Sequence, residues 1–318
     1  MLYISIPVHE NVDVVVNQCR NICFYTEATV IIHASNYSLQ KEIRECLLNN
    51  KLESRIIINT KSVRTDWGNI FAAHIENLRF LKNTRLLEHS DRIAFHASND
   101  MFIKKGVESY IKTTTRSIYT PRIYEREAYW WPANKAREDE VLCNAMESQF
   151  GKNWLLVGGQ LEGSVYTWKI LEKLIIWYDK FLGTLPDTGC YPREEIIFPS
   201  FAFNLGDVPE KEVYLYSEVH KYDSIVYKYF RKIDNFKIIP SALRYLMKKI
   251  VSAGLRRLSF LYKLKLEDVK HGRYARVCVH DKACTWYANG VGMSIYGIKR
   301  VPRDLNNSIR RYLSQLIE

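Results

Sequence analysis

The residues best suited to chemistry stand where short apolar runs end. The run from Leu2 to Ile6 leads into Pro7-Val8-His9, and the run from Val30 to Ile32 into His33-Ala34-Ser35-Asn36. Ile57, Ile58 and Asn59 lead to Thr60-Lys61, and Ile93 to Phe95 lead into His96-Ala97-Ser98-Asn99-Asp100. Imidazoles, hydroxyls, amides and a carboxylate at such turns suit hydrogen bonding to a polar ligand. His33 and His96 also read simply as satisfied structural histidines, and no metal is placed on them. A further stretch opens Asp66-Trp67-Gly68 and then repeats apolar residues at Ile70, Phe71, Ala73, Ile75, Leu78 and Leu81, which is helical spacing. A buried helix requires neither an indole nor a glycine at its start. A loop that turns sharply and lays a flat ring against something uses both. Glu194 and Glu195 read on their own as first-turn carboxylates favoured by a helix dipole. Glu138-Asp139-Glu140 reads as a solvated helix start rather than a metal-binding carboxylate set.

These residues need a scaffold. "LYISIPV", "ATVIIHAS", "SRIIINT" and "DRIAFHAS" read as strands. Between them lie helices: one started by His9-Glu10-Asn11 and running to about Phe24, one over "SLQKEIRECLLNN" with Ser38 as N-cap, and the one after Trp67. Strands alternating with helices imply an α/β fold, a mostly parallel sheet with helices on both faces. Ligands of such sheets bind at the carboxyl ends of strands, where the polar turns lie. No dinucleotide or P-loop glycine pattern follows any strand. Residues 121–140 read as a polar, aromatic loop over the sheet. Glu162-Gly163-Ser164 reads as a turn before a helix, "VYTWKILEKLIIWY".

The chain has 318 residues and is 47% hydrophobic, enough for a substantial core. Its 21 Tyr against 13 Phe are common in proteins that handle sugars or bases, but an ordinary core is the readier explanation. Seven cysteines at irregular spacing, with no CxxC pair, point to free thiols in a reducing compartment. The N-terminus lacks the pattern of a signal peptide, and no apolar run is long enough to span a membrane. The net charge is +11, and it is unevenly placed. Residues 1–220 carry 25 Lys and Arg against 28 Asp and Glu, and residues 221–318 carry 21 against 7. That asymmetry points to an anionic partner for the C-terminal end.

Five segments in order resemble the core-2/I-branching glycosyltransferase family, which includes the peptide xylosyltransferases: "VIIHAS", "VRTDWGNIFAAHIENLRFL", "AFHASNDMFI", "EGSVYTWKI" and "YPREEIIFPS". They cover roughly residues 1–205, and the Trp-Gly segment is the most specific. The resemblance implies a GT-A-like fold over residues 1–235 and a bacterial enzyme of surface polysaccharide synthesis, such as capsule or O-antigen. It implies an inverting transfer of a hexosyl or N-acetylhexosaminyl group from a nucleotide-sugar, a UDP-sugar first of all, to a glycan or lipid-linked glycan hydroxyl. It makes Glu195 the base, with Glu194 as runner-up. Donor contacts fall to Pro7, His9, His33, Ser35, Trp67, Gly68 and Asp100, and acceptor contacts to Glu162 and Ser164. For Asp100 the alternative is a turn cap, and for Glu162 and Ser164 an N-cap turn. The family uses basic side chains in place of a divalent metal, so no cofactor is expected. Arg273, Arg276, Lys299 and Arg300 are the candidates to hold the diphosphate. Two departures stand out: Ser35 replaces the family's aspartate, and Arg193 stands where the Asp of its Pro-Asp-Glu motif would be.

Residues 236–318 form a basic C-terminal region. Within it, Pro240 and Ser241 open an amphipathic helix over 241–263. Leu243, Leu246, Met247, Ile250, Gly254, Leu258 and Leu261 share one side, with Lys248, Lys249, Arg256 and Lys263 opposite. Such a helix lies on an anionic membrane surface or packs on the domain with its basic face in water. The expected location is the cytoplasm, peripheral to the inner face of the plasma membrane. The competing readings are a basic nucleic-acid-binding protein, against which no reader motif appears, and a non-catalytic member of a glycan-assembly complex.

Overall fold

A computed structural model describes residues 1–9, 11–65, 69–124, 131–183, 191–210, 215–217, 229–230, 232–233, 235–257, 265–271 and 295–318. In chain order the first half comprises β1 (Leu2–Val8), α1 (Val12–Tyr25), β2 (Thr29–Ala34), α2 (Tyr37–Asn49), β3 (Ile56–Ile58), α3 (Ile70–Thr84), β4 (Arg92–Phe95), β5 (Met101–Phe102), α4 (Val107–Ile111), β6 (Arg122–Ile123), α5 (Trp131–Glu138) and α6 (Glu140–Phe150). There follow β7 (Val157–Gly158), β8 (Val165–Thr167), α7 (Trp168–Phe181), α8 (Glu194–Asn204), β9 (Tyr216–Ser217), α9 (Ser241–Arg257), α10 (Leu266–Lys270), β10 (Gly297–Ile298) and α11 (Ser308–Gln315).

The main sheet has the order β3-β2-β1-β4-β8, parallel except for β8. It is the mixed α/β, mostly parallel architecture that the alternating pattern predicts. β1 is central, and six of its seven residues are buried, as a strand covered on both faces requires. Period-2 alternation sorts its side chains. Ile4, Ile6 and Val8 join Val15, Cys19 and Ile22 of α1 and Ile43 and Leu47 of α2 in one core. Tyr3, Ile31, Ile93 and Phe95 turn to the other face, against Phe71, Ile75 and Leu78 of α3 and residues of α6, α7 and α8.

Three local expectations are corrected. Asn36, two residues before Ser38, caps α2: its side chain accepts the Leu39 amide at 2.9 Å. Residues 121–140 are not simply a loop, because Arg122–Ile123 pairs with β7 and Trp131–Glu138 is helical, its Ala133 and Ala136 packed in the core. Val165–Thr167, taken for the start of a helix, is an edge strand antiparallel to β4, and the helix begins at Trp168. The β-branched Val165 and Thr167 suit the strand, and cross-strand pairing outweighs the helical periodicity that follows.

A second, small sheet sets up the site. β10 lies between β5, to which it is antiparallel, and β9, to which it is parallel. It therefore delivers residues 299 and 300 to the end of β4, some 200 positions away in sequence. Two amides of α1 secure that end. Gln18 donates to the carbonyls of Ala97 (2.6 Å) and Asp100 (3.0 Å), and Asn21 exchanges hydrogen bonds with both backbone groups of Phe102.

Candidate functional site

The carboxyl ends of β1, β2 and β4 form one edge, as the parallel register demands. Pro7 stands beside His33 and Val8 beside Ala34, and the Ser35 amide donates to the Val8 carbonyl at 3.0 Å. His9 is exposed and Ser35 half-buried at this edge. His33 is fully buried, and its Nε2 accepts the Val63 amide at 3.0 Å, which leaves the proton of the neutral ring on Nδ1. That bond ties the approach to the Trp67 loop to the end of β2. Trp67 and Gly68 themselves, like Arg273 and Arg276, lie outside the described residues.

Asp100 is wholly buried, and its two oxygens accept the backbone amides of Ala97 and Arg300, both at 2.9 Å. Asn99 adds a reciprocal pair with Val301, at 2.9 and 3.1 Å. Asp100 thus fastens the segment after β10 to the turn after β4, a turn-holding role for a residue assigned to the donor sugar. The junction is tight enough that Arg300 adopts φ 58°, a left-handed conformation uncommon outside glycine. Burial, then the charge of Glu162, pushes the Asp100 carboxyl up.

Glu162 sits in the turn before β8. The Gly163 amide donates to the Phe95 carbonyl at 2.9 Å, and Phe95 donates back to the Ser164 carbonyl at 3.1 Å, so this turn rides on the end of β4. Gly163 has φ 84°, and a Cβ there would lie 3.0 Å from Tyr216 Cγ, so only glycine fits without strain. Ser164 is buried and its hydroxyl donates to the Leu161 carbonyl, a turn bond rather than an outward-facing group. The Glu162 carboxylate meets Lys299 Nζ at 3.1 Å, with the lysine side chain 2% exposed and the glutamate 22%. Burial raises Glu162, but Lys299, the backbone and Arg300 together outweigh it and hold the carboxyl below its ordinary value. Arg300 itself is exposed.

Glu194 and Glu195 begin α8, as expected of first-turn acids. The helix start is stapled to β7, where Gly159 donates to the Glu195 carbonyl at 2.8 Å. Arg193 precedes it and reaches Asp139 at 3.8 Å, while Tyr191 donates to the same carboxylate at 2.8 Å. Asp139, read as part of a solvated helix start, is therefore the N-cap of α6 and the anchor of the Arg193 turn. Glu194 is buried, with Oε2 finding no hydrogen-bond partner among the described residues, and Glu195 is half-buried beside it. Burial, then the adjacent charge of Glu195, pushes Glu194 up to about 8, and the charges of Glu162 and Lys299 act on it as well. The pair from the fifth resembling segment and the Glu162–Lys299 pair thus belong to one electrostatic neighbourhood.

Periodicity alone passes over the residues beneath this cluster. Ser5 Oγ and His74 Nδ1 lie 2.8 Å apart, and Asn77 donates to Ser5 Oγ at 3.1 Å and to the Ile31 carbonyl at 3.2 Å. Burial holds His33, His74 and His96 down, to about 4, 3 and 3, so all three imidazoles are neutral at pH 7. The available signal was His74 and Asn77, polar residues three apart on the apolar side of α3. Among the described residues no three His, Cys, Asp or Glu side chains are grouped to hold a metal ion. The arrangement as a whole can accept a proton at a carboxylate and pair an anion with Lys299 and Arg300.

Comparison with known protein families finds no family model that matches the chain, and no curated protein matches its sequence.

Proposed function

We propose that the protein is an inverting glycosyltransferase with a GT-A-like domain over residues 1–235, moving a sugar from a nucleotide-sugar to a glycan hydroxyl without a divalent metal. One observation carries this reading. The Glu194–Glu195 helix start and the Glu162–Lys299–Arg300 cluster interact electrostatically at the edge of the sheet where ligands of parallel sheets bind. In this reading Glu195, the more exposed acid, takes the proton from the acceptor hydroxyl as its oxygen attacks the anomeric carbon. The bond from that carbon to the phosphate oxygen breaks from the opposite face, and the nucleotide diphosphate departs with the electron pair. Arg300 and Lys299 offset its charge by ion pairing. Lys299 does so by sharing itself between phosphate and Glu162. Glu194, protonated at neutral pH, leaves Glu195 as the sole negative charge at the helix start. In this reading the exposed His9 and the half-buried Ser35 meet the nucleotide, on an edge that the buried Pro7 and His33 shape from below.

The test is calorimetric titration with UDP, GDP, CMP and their sugars, followed by turnover of the sugar nucleotide that binds. Glu195→Gln is expected to lower turnover about 10²–10⁴-fold, the usual range for removal of a general base, with donor affinity kept. Full turnover in that variant would remove Glu195 from the chemistry, and failure of every nucleotide to bind would end the glycosyltransferase reading.

A further inference from the structure

The helix α9 presents its apolar side outward. Leu243, Leu246 and Ile250, at i, i+3 and i+7, are 48, 52 and 64% exposed. At 100° per residue they fall in one arc with Ala253 and Gly254, both also exposed. Met247 and Val251, with Arg244 and Lys248, occupy the other arc and are half-buried, so this is the side that faces the rest of the chain. The segment leading into the helix continues the pattern, with Phe236 exposed and Ile238 97% exposed. Fifteen positions thus expose five large aliphatic or aromatic side chains, besides Tyr245. Water-facing apolar groups in that density mark a surface meant to be covered.

Charge says what covers it. Residues 235–266 contain eight Lys and Arg and no Asp or Glu. Lys249 borders the apolar arc and lies over the Tyr245 ring at 4.8 Å, so its ammonium sits where an aromatic and a cation meet the edge of the apolar face. We propose that this helix is an interfacial anchor that lies in the plane of an anionic lipid surface. Leu243, Leu246 and Ile250, with Phe236 and Ile238, insert below the headgroups, and Lys249 at the edge of the arc pairs with lipid phosphates. Among the described residues no helix is long and apolar enough to cross a membrane, and α9 needs only to lie on one. A second copy of the chain is a poor occupant, because a two-fold contact through this patch would bring two segments of like charge together. A nucleic acid would satisfy the cations and leave the leucines and isoleucines in water. The anchor does not rest on the glycosyltransferase reading and is tested without any sugar or nucleotide.

The experiment is sedimentation of the full chain with vesicles of phosphatidylcholine alone and of equimolar phosphatidylcholine and phosphatidylglycerol. The wild type is expected to bind the anionic vesicles and to be released by salt. Leu246→Ser/Ile250→Ser, on the exposed arc, is expected to weaken binding by about a hundredfold, from the lost apolar burial of two side chains. Lys249→Gln is expected to weaken it about fivefold on anionic vesicles only. Unchanged circular dichroism and urea midpoints establish that both variants are folded. No binding by the wild type, or equal binding by the Ser variant, overturns the proposal. So does a wild-type dimer in sedimentation velocity that the Ser variant abolishes, or retention on DNA that the Ser variant keeps while vesicles are ignored.

Discussion

Replacing Glu194 by Gln is expected to stabilise the protein in alkali and leave it unchanged in acid. Its carboxyl moves from 4.5 to about 8, through burial first and the charge of Glu195 second. Between those values the unfolded chain is ionised and the folded chain protonated. Folding there takes up a proton, so stability falls as pH rises, and above about 8 the loss is complete. At 1.36 kcal/mol for each pH unit crossed, the full penalty is about 5 kcal/mol. Glu195 beside it is half-buried, so water reaches the charge that opposes Glu194 and reduces the penalty to about 2–3 kcal/mol. Gln keeps the shape and cannot ionise, so the variant escapes the penalty. Urea unfolding of both proteins at about pH 4 and about pH 9 reads the difference directly. Coincident stabilities in acid, and a variant ahead by about 2–3 kcal/mol in alkali, are the expected pair. Equal stability at the alkaline pH would refute the reasoning and place the Glu194 carboxyl in contact with water or a cation.

Lys299→Met strands Glu162 without its cation. Removing one partner of a buried pair costs about 3–5 kcal/mol, which the partial exposure of Glu162 lowers to about 2–3. Adding Glu162→Gln is expected to restore most of that loss in urea unfolding, and an additive double variant would deny the coupling. Gly163→Ala combines φ 84° with a 3.0 Å approach to Tyr216 Cγ and is expected to cost about 1–3 kcal/mol, read from the thermal midpoint. An unshifted midpoint would mean that the turn relaxes freely.

Much of the scaffold was legible because it rests on local rules. The buried isoleucines and valines of "LYISIPV" and "VIIHA", the helical spacing of Ile70 to Leu81 and the polar strand ends each follow from side-chain period and burial, which a linear sequence carries. The pairing of Glu194 with Glu195 at a helix start was legible for the same reason. Edges were less so. Asn36 displaced Ser38 because both residue types cap helices and only the chain's path selects one. Val165–Thr167 became a strand because β4 offers it backbone partners that no window around it contains.

The site itself was decided by tertiary structure. Lys299 was one of four basic candidates with nothing in the sequence to prefer it, and Asp100 was as good a sugar ligand as a turn cap. The second sheet supplies what the sequence lacks: β10 pairs with β5 and carries Lys299 to Glu162 and the Arg300 amide to Asp100. Likewise the apolar stripe of α9 was readable, but which way it faces was not: amphipathic spacing is the same whether a helix packs inward or turns its stripe to the surface. Spacing records which side chains share a face, whereas contacts between residues hundreds of positions apart depend on how whole elements pair, and that information exists only in the assembled fold.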